Sequence, residues 1–213
     1  MHGLLDYDGL LMRTINKIVD IVMLSLAWLL FSIPIITIGA ATSALYYTAF
    51  KVVRKDRSHV WREFWASFLG GLKQTILLTI ILILLYLGFG VVCYLYFMIG
   101  VLKFGIAVLI YVIVAFVLTM WGIYLFSYVA RFRNTTKGVL MNAGYMCTKH
   151  IFTSILLGLI LCVSILGVYL FPIIILVVPA GCAVLYSFLL ERIFKRYMKL
   201  EDLQAECMKY EKK

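Results

Sequence analysis

The sequence predicts an all-α, polytopic transmembrane helical bundle of five to six spans, with an amphipathic cytoplasmic helix at the membrane interface. Hydrophobic residues make up 64% of the 213-residue chain and charged residues 14%, against about 45–50% and about 25% in soluble domains. Three long stretches, 74–102, 104–130 and 151–190, contain no charged residue. A helix needs about 20 apolar residues to cross a bilayer, so each stretch is long enough to span one.

Length divides these stretches into helices. The first two fit one span each, whereas 151–190 is too long for one helix and contains Pro172, so a tight turn is expected at Phe171–Pro172. The side chains are apolar on all sides rather than alternating, which excludes barrel strands and leaves helices. The predicted spans of a single transmembrane domain, 1–190, are about 15–34, 36–54, 74–98, 104–130, 151–171 and 173–190.

The N-terminal apolar stretch, 18–53, leaves two topologies open. As one straight helix it would be about 54 Å long, nearly twice the hydrocarbon thickness of about 30 Å. It must therefore break, and Pro34 and Gly39 mark the place. A helical hairpin there gives six spans with the N-terminus inside, which we favour. An interfacial helix followed by one crossing gives five spans with the N-terminus outside.

The basic residues behind the net charge of +10 predict the orientation. Most of them lie in three segments, 51–73, 131–149 and 191–213, whereas the connection near 99–105 has only Lys103. The positive-inside rule places the three basic segments in the cytoplasm of a bacterial plasma membrane. We therefore expect 191–213 to form a basic cytoplasmic helix or tail. The charge pattern reflects the membrane and gives no reason to expect nucleic-acid binding.

The segment 58–73 has the periodicity of an amphipathic helix. Its apolar face carries the aromatic residues Trp61, Phe64, Trp65 and Phe68, and basic residues flank it. Such a helix is typical of the lipid headgroup region. Alternatively, this face is a docking surface for a partner protein.

Small residues follow the Pro34 break and allow helices to approach closely within lipid. The segment either packs helices together or forms a broken helix that lines a binding site, as in some transporters. The candidate partner or packing residues here are Pro34, Gly39, Ala40, Ala41, Ser43, Tyr46 and Tyr47.

The residues give no sign of catalytic chemistry. Nucleotide-binding and hydrolase motifs are absent from the sequence, and the three histidines are far apart without metal-ligand spacing. We therefore expect neither an enzyme nor a cofactor or metal site. Asp20 is the one acidic candidate for ion coupling, since the spans from 74 onward carry no charge. Aromatic residues that could line a solute path are Trp28, Tyr46, Trp121 and Tyr124.

The segment 26–47, LAWLLFSIPIITIGAATSALYY, is distinctive together with 51–54 and the aromatic residues of 64–68. It resembles the YesL family of uncharacterised bacterial membrane proteins. Members of that family tend to be encoded beside carbohydrate ABC importers. The resemblance implies an accessory membrane subunit for oligosaccharide uptake, with sugar ABC permease subunits as partners. The alternative is a stand-alone transporter or channel for a small saccharide-derived solute.

Overall fold

The computed structural model describes residues 4–53, 59–100, 103–132 and 134–198. Every regular element in these ranges is a helix, which confirms the all-α prediction. Short helical turns lie at Ile35–Thr37, Ala49–Val53 and Pro172–Leu176. The long helices are α1 (Leu4–Ser32), α2 (Ile38–Thr48), α3 (Val60–Met98), α4 (Phe104–Arg131), α5 (Thr136–Lys149), α6 (Ile151–Leu170) and α7 (Val178–Tyr197).

Five helical segments among the described residues are long and apolar enough to cross a membrane, so the chain is a multi-pass membrane protein. They are Ile15–Ser32, Ile35–Val52, Val60–Met98, Phe104–Arg131 and Ile151–Leu170.

The predicted sixth span, 173–190, differs from what the structure shows. α6 ends at Leu170, as the Pro172 signal indicated, but the chain then makes a helical turn and α7 begins only at Val178. α7 continues to Tyr197 and includes Glu191 among several charged residues. These charges exclude it from the five apolar segments.

The break predicted near Pro34 is confirmed. α1 ends at Ser32, because Pro34 lacks an amide donor and disfavours helical backbone in the residue before it. Pro34 itself is extended, with φ −75° and ψ 117°. The Thr37 hydroxyl donates to the carbonyl oxygens of Phe31 and Pro34, at 2.8 Å each. The Trp28 indole donates to Thr42 Oγ1 at 3.2 Å. α1 and α2 are thus two helices packed together beside the turn.

The aromatic segment 58–73 is helical from Val60 as predicted, but it is not a separate helix. It forms the first part of α3, which runs without interruption to Met98. At 39 residues, α3 is about 58 Å long, longer than the hydrocarbon core. Lys73 does not break it, since a lysine is a good helix former. The aromatic face therefore continues directly into the apolar part of α3.

Two buried clusters hold the bundle together. One surrounds Tyr124 and Leu125 of α4 and contains side chains from α2, α3, α5, α6 and α7. The other joins α1, α2, the start of α3 and the start of α7. In the segment Ile35–Val52, 61% of the residues are buried, against 17–22% in the other four apolar segments. α2 is thus the central helix, and the others expose apolar side chains outward.

The described start of the C-terminal segment, 191–197, is helical and belongs to α7. Its side chains are not all exposed, however, since Glu191, Ile193 and Phe194 are buried in the bundle. Phe194 packs edge-on against Tyr46, with ring centroids 6.4 Å apart. The helical periodicity of α7 turns these side chains inward. Residues 199–213 lie outside the described part of the chain.

Candidate functional site

An open groove of about 1110 Å³ lies between α2, the first half of α3 and the end of α4. Part of its lining, from Ala66 to Gly71 and from Arg131 to Asn134, belongs to the basic segments 51–73 and 131–149. Its lining combines small side chains with hydroxyl, amide and guanidinium groups. The lining residues are Ser43, Tyr47, Ala66, Ser67, Gly70, Gly71, Gln74, Val129, Ala130, Arg131, Phe132 and Asn134.

The α3 wall of the groove is open because its side chains are small. A Cβ atom at Gly70 would meet no heavy atom within 4 Å, and at Gly71 the nearest would be Thr75 Cγ2 at 3.8 Å. Gly39 of α2 is the opposite case, since a Cβ there would collide with Thr79 Oγ1 and the ring of Phe126. Internal packing therefore requires glycine at position 39, whereas Gly70 faces open space and Gly71 has room for a Cβ atom at an ordinary contact distance.

Arg131, which lines the groove, is held by a buried ion pair with Glu191. Its Nε lies 2.8 Å from Glu191 Oε1, and its Nη2 donates to Oε2 at 3.1 Å. The side chains of Arg131 and Glu191 are 10% and 1% exposed. Tyr46 donates to Glu191 at 3.4 Å, and the ring of Phe50 lies 4.5 Å from the guanidinium carbon. This cluster connects α2, α4 and α7.

Two further contacts fix the walls of the groove. Gln74 of α3 donates its amide to the backbone carbonyl of Asn134 at 2.8 Å, which joins α3 to the segment after α4. Lys51 pairs with Glu63 at 2.7 Å, which joins the end of the α2 segment to the start of α3. The groove is thus bordered by elements with fixed relative positions.

Most of the α2 residues predicted as partner or packing residues pack within the chain itself. Gly39, Ala40, Ala41 and Tyr46 are buried among α3, α4 and α7; Ser43 is buried too, although it reaches the groove. Pro34 lies in the turn before α2. The small residues that remain open to a partner are those of α3, not those of α2.

The aromatic face of α3 is divided. Phe64 and Phe68 are buried, and Phe31 of α1 packs on them with ring centroids 5.7 and 5.1 Å away. Trp61 and Trp65 stay exposed at 53% and 40%. Packing against α1 therefore removes two of the four aromatics from a possible docking surface.

The four predicted solute-lining aromatics do not meet in one cavity. Trp28 lines a crevice of about 360 Å³ between the Pro34 turn, α3 and α4. Tyr46 is bonded to Glu191, and Tyr124 is fully buried and accepts a hydrogen bond from Ser154 at 3.1 Å. Trp121 packs against the core around α4.

The Trp28 crevice is mainly apolar. Its polar groups already bond one another: Trp28 donates to Thr42, and Tyr86 and Thr119 share a hydrogen bond of 2.8 Å. These groups therefore require no polar ligand.

Sequence reasoning missed the Arg131–Glu191 pair and the α3 wall of the groove. Arg131 was counted only as an orientation signal and Glu191 only as part of a tail. The sequence does show an opposite charge directly after each of two apolar stretches. Because 60 positions separate Arg131 from Glu191, it does not show that the two side chains meet. Ala66, Ser67, Gly70 and Gly71 sit on one helical face, which the periodicity of 58–73 could have shown.

Residues 21–95 match a protein family described as "Protein of unknown function, DUF624". The match covers α1 from Ile21, the Pro34 turn, α2 and most of α3. It therefore includes the α2 and α3 walls of the groove but not the end of α4. Neither a curated protein nor a solved structure matches the chain.

Proposed function

We propose that this protein is an accessory integral membrane subunit of bacterial carbohydrate ABC uptake, and that its groove receives a helix of a permease subunit. The observation that carries the proposal is the open α3 wall at Gly70 and Gly71, beside the fixed Arg131. Helices associate in membranes through small residues that allow close approach, aided by interhelical hydrogen bonds. The groove offers both.

The size of the groove favours a helix over a small solute. Small-molecule pockets enclose about 300–1,000 Å³, and the groove reaches about 1110 Å³ while open on one side. From Ala66 to Gln74 its α3 wall extends over about 12 Å, or roughly two helical turns. A partner helix could lie along this wall, with polar side chains reaching Ser67 and Gln74.

A coupled transporter is less well supported. Ion or proton coupling generally uses an ionisable group inside the membrane. The sequence has no charged residue in 74–102, 104–130 or 151–190, which leaves Asp20, near the start of the first apolar segment, as the acidic candidate. The Trp28 crevice has its polar groups bonded internally. The proposal assigns the protein no catalytic role.

The carbohydrate part of the proposal rests on the family. The matched family is of the type that includes YesL, and the sequence resembles YesL over 26–73. That resemblance implies sugar ABC permeases as partners. We place the protein in the bacterial plasma membrane, with the basic loops and the C-terminus in the cytoplasm according to the positive-inside rule.

Gly70→Trp is expected to abolish co-purification of an ABC permease subunit, because the indole would occupy the space that the partner helix needs. At present a Cβ atom added at Gly70 would have no heavy atom within 4 Å. The full-length protein would be purified from its native membrane in mild detergent, and the partner identified by mass spectrometry. A photo-crosslinker at position 67 should join to the same permease subunit.

Gly88→Trp is the matched control. Gly88 is also exposed on α3 with no heavy atom within 4 Å, but it lies outside the groove, so this variant should retain the partner. If no permease subunit accompanies the wild-type protein, the accessory role is wrong. Oligosaccharide flux into liposomes that contain this protein alone would instead establish the stand-alone transporter.

A further inference from the structure

A second cavity lies where the end of α4, α5 and the end of α7 meet, and it shares only Phe132 with the groove lining. It measures about 240 Å³ and is partly open. We call it the aromatic box. Its walls are Tyr128, Phe132, Asn142, Tyr145, Met146 and Tyr197.

The inner wall of the aromatic box is rigid. Tyr128 and Phe132 stack with ring centroids 4.6 Å apart and an interplanar angle of 24°, and Phe194 packs edge-on against both. The Asn142 amide nitrogen donates to the Tyr128 hydroxyl at 3.0 Å. In the described part of the chain no donor pairs with the Asn142 carbonyl oxygen, so it can accept a bond from a ligand hydroxyl.

The rim of the aromatic box carries a cluster of polar groups. Lys149 Nζ donates to the Tyr145 hydroxyl at 2.9 Å and lies 5.7 Å from the Tyr197 ring. The Tyr197 hydroxyl is 3.2 Å from His150 Nε2. An ammonium and an imidazole thus lie beside the hydroxyls of Tyr145 and Tyr197, two residues that line the cavity.

The charge at the rim is positive. The Lys149 side chain is an ammonium at neutral pH, and hydrogen bonds to Tyr145 and Tyr197 raise its pKa. Burial, aided by the charges of Arg196 and Lys149, lowers the pKa of His150. A cationic ligand would be repelled here, whereas an anionic group would be attracted.

We propose that the aromatic box binds a phosphorylated polyol, with the phosphate on Lys149 and the polyol against the tyrosine rings and the Asn142 carbonyl. A pocket with aromatic walls and a few convergent polar groups is typical of small-ligand sites, and an ammonium binds phosphate as a point charge. The ligand chemistry has two sources: the headgroup of phosphatidylglycerol or a soluble sugar phosphate. The proposal does not depend on the docking groove.

Isothermal titration of the delipidated full-length protein in detergent tests this site. The probes are glucose 6-phosphate, glucose, inorganic phosphate, and short-chain phosphatidylglycerol with short-chain phosphatidylcholine for comparison. We expect a phosphorylated polyol to bind more tightly than glucose or inorganic phosphate. Lys149→Gln should weaken binding by about tenfold or more, since it removes a hydrogen bond from a charged donor.

Lys137→Gln is the matched control, because Lys137 is an exposed lysine on the same helix, whereas Lys149 is the lysine in contact with Tyr145 and Tyr197 of the cavity wall. It should bind like the wild type. Binding of glucose 6-phosphate assigns a soluble ligand, and binding of phosphatidylglycerol alone assigns a lipid headgroup. The proposal is overturned if neither binds, if inorganic phosphate binds as tightly as either, or if the two lysine variants lose affinity equally.

Discussion

Glu191→Gln is expected to lower the free energy of unfolding by about 3–5 kcal/mol, because it leaves a buried guanidinium without its carboxylate partner. Arg131 and Glu191 are 10% and 1% exposed, and two contacts of 2.8 and 3.1 Å join them. The measurement is equilibrium unfolding of the purified protein in detergent, followed by tryptophan fluorescence.

Glu63→Gln is the control for this prediction. Glu63 also forms an ion pair, with Lys51 at 2.7 Å, but the Lys51 side chain is 32% exposed, and such partly solvated pairs contribute about 0–1 kcal/mol. The double variant Arg131→Met, Glu191→Leu should recover most of the lost stability, since it removes both charges together. Equal losses for Glu191→Gln and Glu63→Gln would show that the buried pair has no special role.

The Arg131–Glu191 pair also matters for the groove. Arg131 lines it, and Glu191 holds the guanidinium in place from α7. The double variant should therefore fold while its groove lacks the guanidinium. If it still binds the permease subunit, the small-residue wall alone is sufficient for docking.

Gly39→Leu is expected to destabilise the protein by about 2–3 kcal/mol through overpacking. Even the Cβ atom would collide with Thr79 of α3 and Phe126 of α4, and a leucine adds three more carbon atoms at the same place. α2 is the most buried of the apolar segments, so it has little room to shift. Thermal unfolding monitored by size-exclusion chromatography in detergent measures the effect.

Gly70→Ala is the matched comparison on the neighbouring helix. Its added methyl group meets nothing within 4 Å, and replacing glycine by alanine inside a helix stabilises it by up to about 1 kcal/mol. The two variants should therefore change stability in opposite directions. A Gly39→Leu protein as stable as the wild type would mean that α2 is not held closely against α3 and α4.

Local chain chemistry made the class of fold and its main breaks predictable. Long stretches without charge required helices in lipid. Pro34 and Pro172 ended helices because proline lacks an amide donor. These features depend on residues close in sequence, so the pattern alone was enough to place breaks at Pro34 and Phe171–Pro172, next to the observed helix ends at Ser32 and Leu170.

Features that join distant segments were decided only by tertiary structure. The sequence could not show that α3 continues through Lys73, that Glu191 turns inward to Arg131, or that Tyr197 meets His150. Hydropathy shows that a helix is stable within the membrane. It does not show which helices pack against it or which of its faces they contact. The groove and the aromatic box exist because particular helix faces meet, and those meetings depend on the packing of the whole bundle.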